Sequence, residues 1–209
     1  MNFDLHMHTT RHSPDSFMDP HVMLRRAGEV GLHGLVITEH DWLWAEDELD
    51  ELRAAAPGLV VLAGVEVSTR QGHFLAYGVR NPFSIPRNIG VADLCYEMHK
   101  QGGVVVAAHP FRWGQRFRDI LRQEQPDLDG MELMTYNMDA DCRRRAAEVF
   151  AEQTLAGLGS SDAHHADVLG VCYTEFEGTI RDEHDLVDAI RDRRTSAHER
   201  TPGPVSSEP

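Results

Sequence analysis

Two histidines two positions apart, His6 and His8 in Asp4-Leu5-His6-Met7-His8-Thr9-Thr10, are the first residues of the chain equipped for chemistry. On a strand, residues i and i+2 point to the same face. Both imidazoles can therefore aim at one point beyond the strand's carboxyl end, with Phe3, Leu5 and Met7 packed beneath and beside them. That arrangement suits a metal ion, although strand histidines also serve as ordinary polar residues. His40, Glu66, His109, Asp162 and His164 extend the inventory, each at or just past the end of a short apolar run.

Those runs are the elements that must position the site. After the first strand, Arg11–Ser16 reads as a loop, and Asp19-Pro20 starts a helix that Gly31 ends. Gly34–Thr38 is a continuous apolar strand of the kind buried on both faces of a parallel sheet, ending on Glu39-His40-Asp41. The unit recurs: a helix with Leu49 and Leu52 on one face, a Pro57-Gly58 turn, and a strand from Leu59 to Val65 ending on Glu66. A strand His73–Tyr77, a loop from Arg80 to Ile89, a helix from Val91 and a strand Val104–Ala108 ending on His109 follow. Beyond another helix come a strand Gly130–Met134, a helix from about Asp141 and a strand Ala156–Ser160, which runs into Asp162-Ala163-His164. Val171–Phe176 is expected as an edge strand and Asp182–Arg193 as a last helix.

Strands alternating with helices imply right-handed β-α-β units and a parallel sheet, and about seven strands point to a closed α/β barrel. Active sites of such barrels lie at the carboxyl ends of the strands. Seven ligand-type residues falling there would be an improbable coincidence if they were placed at random.

Composition bounds the remainder. The 209 residues fit one barrel domain over 1–194, with a Pro-, Ser-, Gly- and Glu-rich tail over 195–209 expected to be disordered. No apolar run nears the roughly 18–20 residues of a membrane span, and no leader pattern is visible, so a soluble cytoplasmic protein is expected. Cys95, Cys142 and Cys172 are dispersed and odd in number, indicating neither a disulfide framework nor a thiolate zinc site. The formal charge of −14 opposes binding to long nucleic acid, which depends on Lys and Arg neutralising phosphates. Short oligonucleotides stay open.

The motifs DLHMHTT from Asp4, ITEHD from Ile37, GVEVS from Gly64, GHFLAYG from Gly72, AAHPFR from Ala107 and SSDAH from Ser160 resemble, in order, those of the PHP (polymerase and histidinol phosphatase) family. The resemblance spans roughly residues 1–176. It implies a distorted (β/α)7 TIM-like barrel, the PHP fold, carrying a trinuclear metal site. One ion would be held by His6, His8, Glu66 and Asp162, with Glu66 bridging to a second held by His73 and His109. Asp15, His40 and His164 would hold the third. Asp15 is favoured over His12 from its place in Ser-Pro-Asp-Ser. Imidazole and carboxylate without thiolate suit Zn, Mn or Fe. Asp4 is expected to orient a ligand histidine.

The implied activity is metal-dependent hydrolysis of a small phosphate ester: a phosphomonoester, a nucleotide or a short oligonucleotide. Metal-activated water would attack phosphorus. Arg112 is the candidate for a phosphoryl oxygen, and His164 or Asp41 for a proton near the leaving group. Arg116, Arg118 and Arg122 read as a solvated helix face. Glu132 lies on a strand within reach of the site but belongs to no motif, and Trp42 and Trp44 either line the pocket or cap the barrel. Two rival readings are a metal-binding PHP module without catalysis and a metal-dependent hydrolase of a non-phosphate bond such as an amide. No partner motif is visible, and the oligomeric state is left open.

Overall fold

The computed structural model describes residues 1–200. Its elements run β1 (Asn2–Asp4), α1 (Pro20–Glu29), β2 (Gly34–Ile37), α2 (Glu46–Ala55), β3 (Val60–Thr69), β4 (Gly72–Tyr77), α3 (Val91–Gln101) and β5 (Val104–Ala107). There follow α4 (Phe117–Glu124), β6 (Gly130–Met134), α5 (Ala140–Glu152), β7 (Ala156–Gly159), β8 (Cys172–Phe176), α6 (Glu183–Arg191) and β9 (Thr195–Glu199). The helix boundaries have local causes. Asp19, Asp139 and Asp182 accept hydrogen bonds from the first free amides of α1, α5 and α6. Gly102, at φ 82°, ends α3 in the left-handed conformation that glycine adopts without strain.

The sheet has the order β7-β6-β5-β4-β3-β2-β1-β8-β9 and curls into a nearly closed, distorted α/β barrel. Past β1 the chain keeps pairing: Met7 forms a parallel bridge with Ala163, and the His8 amide donates to the Ala163 carbonyl at 2.9 Å. That bridge brings the carboxyl end of β1 against the segment after β7. At the amino end β8 and β9 fill the gap, where the Thr174 hydroxyl donates to the Gly159 carbonyl at 2.8 Å and accepts its amide at 3.1 Å.

Three expectations are corrected. The sheet is not parallel throughout: β4 is antiparallel to both β3 and β5, because only Arg70 and Gln71 separate it from β3 and a parallel crossover needs a dozen residues or more. The segment read as an edge strand, β8, is interior, pairing antiparallel with β1 on one side and β9 on the other. Finally, the segment from residue 195 does not begin as a tail. Thr195–Glu199 is β9, in register with β8 from Thr195↔Phe176 to Glu199↔Cys172. The rest of the expected tail, 201–209, lies outside the described residues.

Alternation along the strands builds two layers of core. In β4, Leu75 and Tyr77 join Phe3, Leu5, Val104, Val106 and Leu158 in one cluster, which α6 extends with Leu186, Val187 and Ile190. Phe74 and Ala76, pointing the other way, pack with residues of α3 to α5, among them Leu94, Met98, Phe117 and Val149. A third cluster seats α1 and α2 on β2 through Met23, Leu24, Leu49, Leu52 and Leu35. Leu5 is fully buried directly below the histidine pair. Truncating it to alanine should cost about 2–5 kcal/mol. No helix among the described residues is long and apolar enough to cross a membrane.

Candidate metal centre

The strands deliver their terminal residues to one mouth. His6 and His8 lie just past β1, and His40 past β2, where a parallel bridge sets it beside Glu66 of β3. His73 sits opposite Ser68 in the β3–β4 hairpin, His109 follows β5, and Asp162 and His164 follow β7. His109 (φ 28°) and Asp162 (φ 51°) take left-handed backbone conformations, as does Asp41 (φ 51°). Such torsions are uncommon outside glycine and tend to gather at functional sites.

The side chains converge on shared points. His6 Nε2 lies 3.4 Å from Glu66 Oε2 and 3.3 Å from Asp162 Oδ1, and His8 Nε2 lies 3.2 and 3.3 Å from the same two atoms. Ligand atoms of these four buried residues all fall within 4.8 Å of one another. The other Glu66 oxygen, Oε1, is 2.8 Å from His73 Nδ1 and 3.0 Å from His109 Nε2. His40 reaches Glu66 Oε2 through Nδ1 at 2.9 Å and Asp15 Oδ2 through Nε2 at 3.3 Å, while His164 Nε2 is 3.4 Å from that same Asp15 oxygen. The sets His40, Glu66, His73 and His8, His40, His164 have the same 4.8 Å compactness.

Whether these residues fit cations can be judged from their unsatisfied atoms. His6 Nε2, His8 Nε2 and Glu66 Oε2 are buried and make no hydrogen bond of good geometry, although the two imidazole nitrogens lie 3.4 and 3.2 Å, and His40 Nδ1 2.9 Å, from that oxygen. Buried polar groups in folded proteins are nearly always paired. Atoms this close that do not bond one another, yet converge, fit a common cation between them.

The electrostatics agree. Burial would push the His6 imidazole down, but the Asp162, Glu66 and Glu132 carboxylates outweigh it and hold it well above its ordinary value. Burial likewise opposes His8, and contacts with Asp162 and Glu66 still lift it to about 9. Glu66 and Asp162, which burial alone would raise, are held well below the usual carboxylate range, chiefly by the charge of His6. His164 is lowered by burial and by the charge of His8. The cluster thus stabilises positive charge at its centre, and metal ions compete with protons for it.

Behind the converging atoms, buried carboxylates fix the imidazoles. Fully buried Glu132 accepts from His6 Nδ1 at 3.1 Å, from the His109 amide at 2.6 Å and from the Ser160 hydroxyl. On the other side His8 Nδ1 meets the Ser13 hydroxyl at 3.3 Å, which donates to Glu39 at 2.5 Å. Each histidine of the pair therefore has one nitrogen tied to a carboxylate, directly or through a hydroxyl, and the other aimed at the cluster.

Asp15 stands with His40 and His164, whereas His12 turns away to Glu48 at 3.2 Å and stacks on Trp42. Asp41 accepts from the Ser68 amide at 2.7 Å and faces Arg87, so its carboxylate is engaged in bracing β3. Asp4 acts on backbone rather than on a ligand imidazole. It accepts from the amides of Ser161 and Gly170 at 2.9 and 2.8 Å, and burial pushes its pKa up to about 6. Arg112 donates through Nη1 to Asp162 Oδ2 at 2.6 Å. Arg116, Arg118 and Arg122 pair with Asp119 and Glu152 on the surface. Trp44 is buried and donates to Glu39, while Trp42 is exposed. Sequence reasoning missed Asn137, which donates to Asp162 Oδ2 at 2.7 Å, along with Glu39 and Ser13. Asn137 does lie just past β6, where the strand-end rule looks for function.

Comparison with known proteins follows the same lines. A family model described as PHP-associated matches residues 142–195. An uncharacterised protein of Methanocaldococcus jannaschii is 27% identical over 154 residues, covering 66% of this chain and 85% of that one. Among solved structures, a two-domain protein of Bacteroides vulgatus containing a predicted PHP-like metal-dependent phosphoesterase superimposes with a TM-score of 0.73 at 23% identity. The match covers 95% of this chain, which spans 64% of that longer protein. An amidohydrolase of Chromobacterium violaceum with bound sulfate and no metal superimposes with a TM-score of 0.66 at 18% identity, covering 95% of this chain and 98% of that one. The segment matched by the PHP-associated model packs onto a barrel whose six motifs meet at one mouth, and the chain shares the fold of these PHP-like structures.

Proposed function

We propose that this protein is a metal-dependent hydrolase of small phosphate esters. The observation carrying the reading is the set of converging, unbonded atoms of His6, His8 and Glu66, with Asp162 beside them and two further ligand sets sharing Glu66 and His40. His6, His8, Glu66 and Asp162 would hold one divalent cation, Glu66, His73 and His109 a second, and Asp15, His40 and His164 a third. Imidazole with carboxylate suits Zn, Mn or Fe. The chemistry such ions supply when bound is Lewis-acid polarisation of a phosphoryl oxygen and acidification of water.

The chain's own residues supply the rest. Among the described residues Arg112 spends only Nη1, on Asp162, leaving Nε and Nη2 to receive a phosphoryl oxygen. Asn137 and Arg112 together fix Asp162 Oδ2, so that Oδ1 keeps facing His6 and His8. His164, partly exposed at the rim and lowered in pKa by burial and by the charge of His8, would either hold the third cation or, when free of it, pass a proton. Asp41, the other candidate for a proton near the leaving group, holds the Ser68 amide through Oδ1 and turns Oδ2 toward Arg87 at 3.9 Å.

The Chromobacterium violaceum neighbour is named an amidohydrolase, which makes amide hydrolysis the second reading. Elemental analysis combined with phosphate release from a panel of phosphomonoesters, nucleotides and short oligonucleotides separates them. The expected result is bound divalent metal and metal-dependent phosphate release. Metal-loaded protein that cleaves amides and no phosphoester would overturn the proposal.

A further inference from the structure

The described residues expose six large hydrophobic side chains, Phe17, Trp42, Phe83, Tyr96, Trp113 and Tyr136. Of these, Trp113 alone makes ring contacts with imidazoles of the cluster. Its indole stands edge-on to His109, with centroids 5.7 Å apart, and to His73 at 6.1 Å, while remaining 75% exposed. The guanidinium of Arg112 lies 3.9 Å from its ring centre, and the same guanidinium is bonded to Asp162.

The backbone works to hold it there. Phe111 (φ 72°) and Trp113 (φ 53°) are both left-handed, conformations that bulky residues rarely adopt. Gln115 clamps the turn, accepting from the Phe111 amide at 3.2 Å and donating to the Gln71 carbonyl at 3.3 Å. Gly72, at φ 132°, leaves room for that clamp, since a Cβ there would meet the Gln115 amide nitrogen at 2.3 Å. A strained turn that keeps an indole in water does nothing for the core. Strain of this kind persists where function uses it.

The geometry points to Trp113, backed by Arg112, as a platform for a flat aromatic group on the leaving-group side of the substrate. Aromatic rings stack on an indole face with centroids about 4.5–7 Å apart. A ring so stacked lies next to a phosphoryl group seated over His73 and His109. The preferred esters therefore carry an aromatic ring one or two bonds from the ester oxygen. Aliphatic esters of the same size gain no stacking.

This inference rests on the phosphoesterase reading, and its test keeps the two apart. Benzyl phosphate and cyclohexylmethyl phosphate share size and leaving-group type and differ in the flat ring. Metal-loaded protein should show kcat/KM about fivefold to tenfold higher for the benzyl ester, a stacking effect of ordinary size. Trp113→Ala should bring that ratio close to one, Trp113→Phe should keep most of it, and Tyr96→Ala, on α3, should not move it. Calorimetric binding of benzylphosphonate and cyclohexylmethylphosphonate should show the same ratio. Equal losses on both esters in Trp113→Ala would assign the indole to supporting His73 and His109 and overturn the platform. Turnover without selectivity overturns the platform and leaves the phosphoesterase reading standing. Selective phosphonate binding without any turnover does the reverse, and neither binding nor turnover ends both.

Discussion

The two ends of the barrel treat charge in opposite ways. At the amino ends of the strands lies a groove of about 760 Å³ lined by Arg53, Arg80, Arg181, Asp182, Glu183 and Arg191 among others. Three of its arginines are answered: Arg53 by Glu46, Asp50 and the Val61 carbonyl, Arg181 by Asp185, and Arg191 by the Gly103 carbonyl. At the carboxyl ends the buried nitrogens of His6 and His8 and one Glu66 carboxylate oxygen stay unbonded. Unmet bonding capacity, rather than volume, marks where a ligand belongs. Left-handed torsions at His109, Phe111, Trp113 and Asp162 gather at that same end.

The contrast can be broken most directly at Asp162. Asp162→Ala should lower both metal content and turnover by well over 100-fold, since partners one step removed from a metal already cost 10–100-fold. Retention of both would place the centre elsewhere. Glu132→Gln keeps the shape but weakens the hold on His6 and the His109 amide, and metal affinity measured by chelator competition should drop about 10–100-fold. Unchanged affinity would reduce Glu132 to packing.

A gentler probe is pH. His8 is raised to about 9 in the folded metal-free protein, against an ordinary 6.5. A raised histidine stabilises fully below its unfolded pKa and loses that contribution as pH rises through the folded one. Metal-free protein should therefore lose up to a few kcal/mol between about pH 6.5 and 9. Metal should restore progressively more of it over the same range, because binding releases protons. A thermal midpoint indifferent to both would refute the electrostatic account. The smallest effect is expected in the opposite groove, where Arg53→Ala should cost about 0–1 kcal/mol. Metal content should stay as it was. A loss of metal on that substitution would couple the two ends.

What could be read ahead follows from how local each signal is. His6, His8, His40, Glu66, His109, Asp162 and His164 were legible because their side chains carry the chemistry and because apolar runs mark the strand ends. Glu132 and Glu39 were not assigned, since a carboxylate on or beside a buried strand acquires meaning only from the imidazole or hydroxyl that another strand brings to it. The choice between Asp15 and His12 turned on loop geometry, and Glu48 on α2 draws His12 away. Strand order is equally non-local. Alternation located β8 without revealing that β1 and β9 flank it, and β9, half-exposed on both faces, reads in composition as tail.

The bridge between Met7 and Ala163 has a bearing on how the protein comes into being. Asp4, in the strand that carries the histidine pair, grips the Ser161 amide 157 residues further along. During synthesis, at about 5–20 residues per second, the first imidazoles would wait many seconds for the carboxylate that completes their set. Capture of a metal would thus be a late event in the life of the nascent chain, joining segments that otherwise meet only by long-range, slow pairing. A cell short of metal should accumulate chains that are fully translated yet still open to proteolysis at this seam.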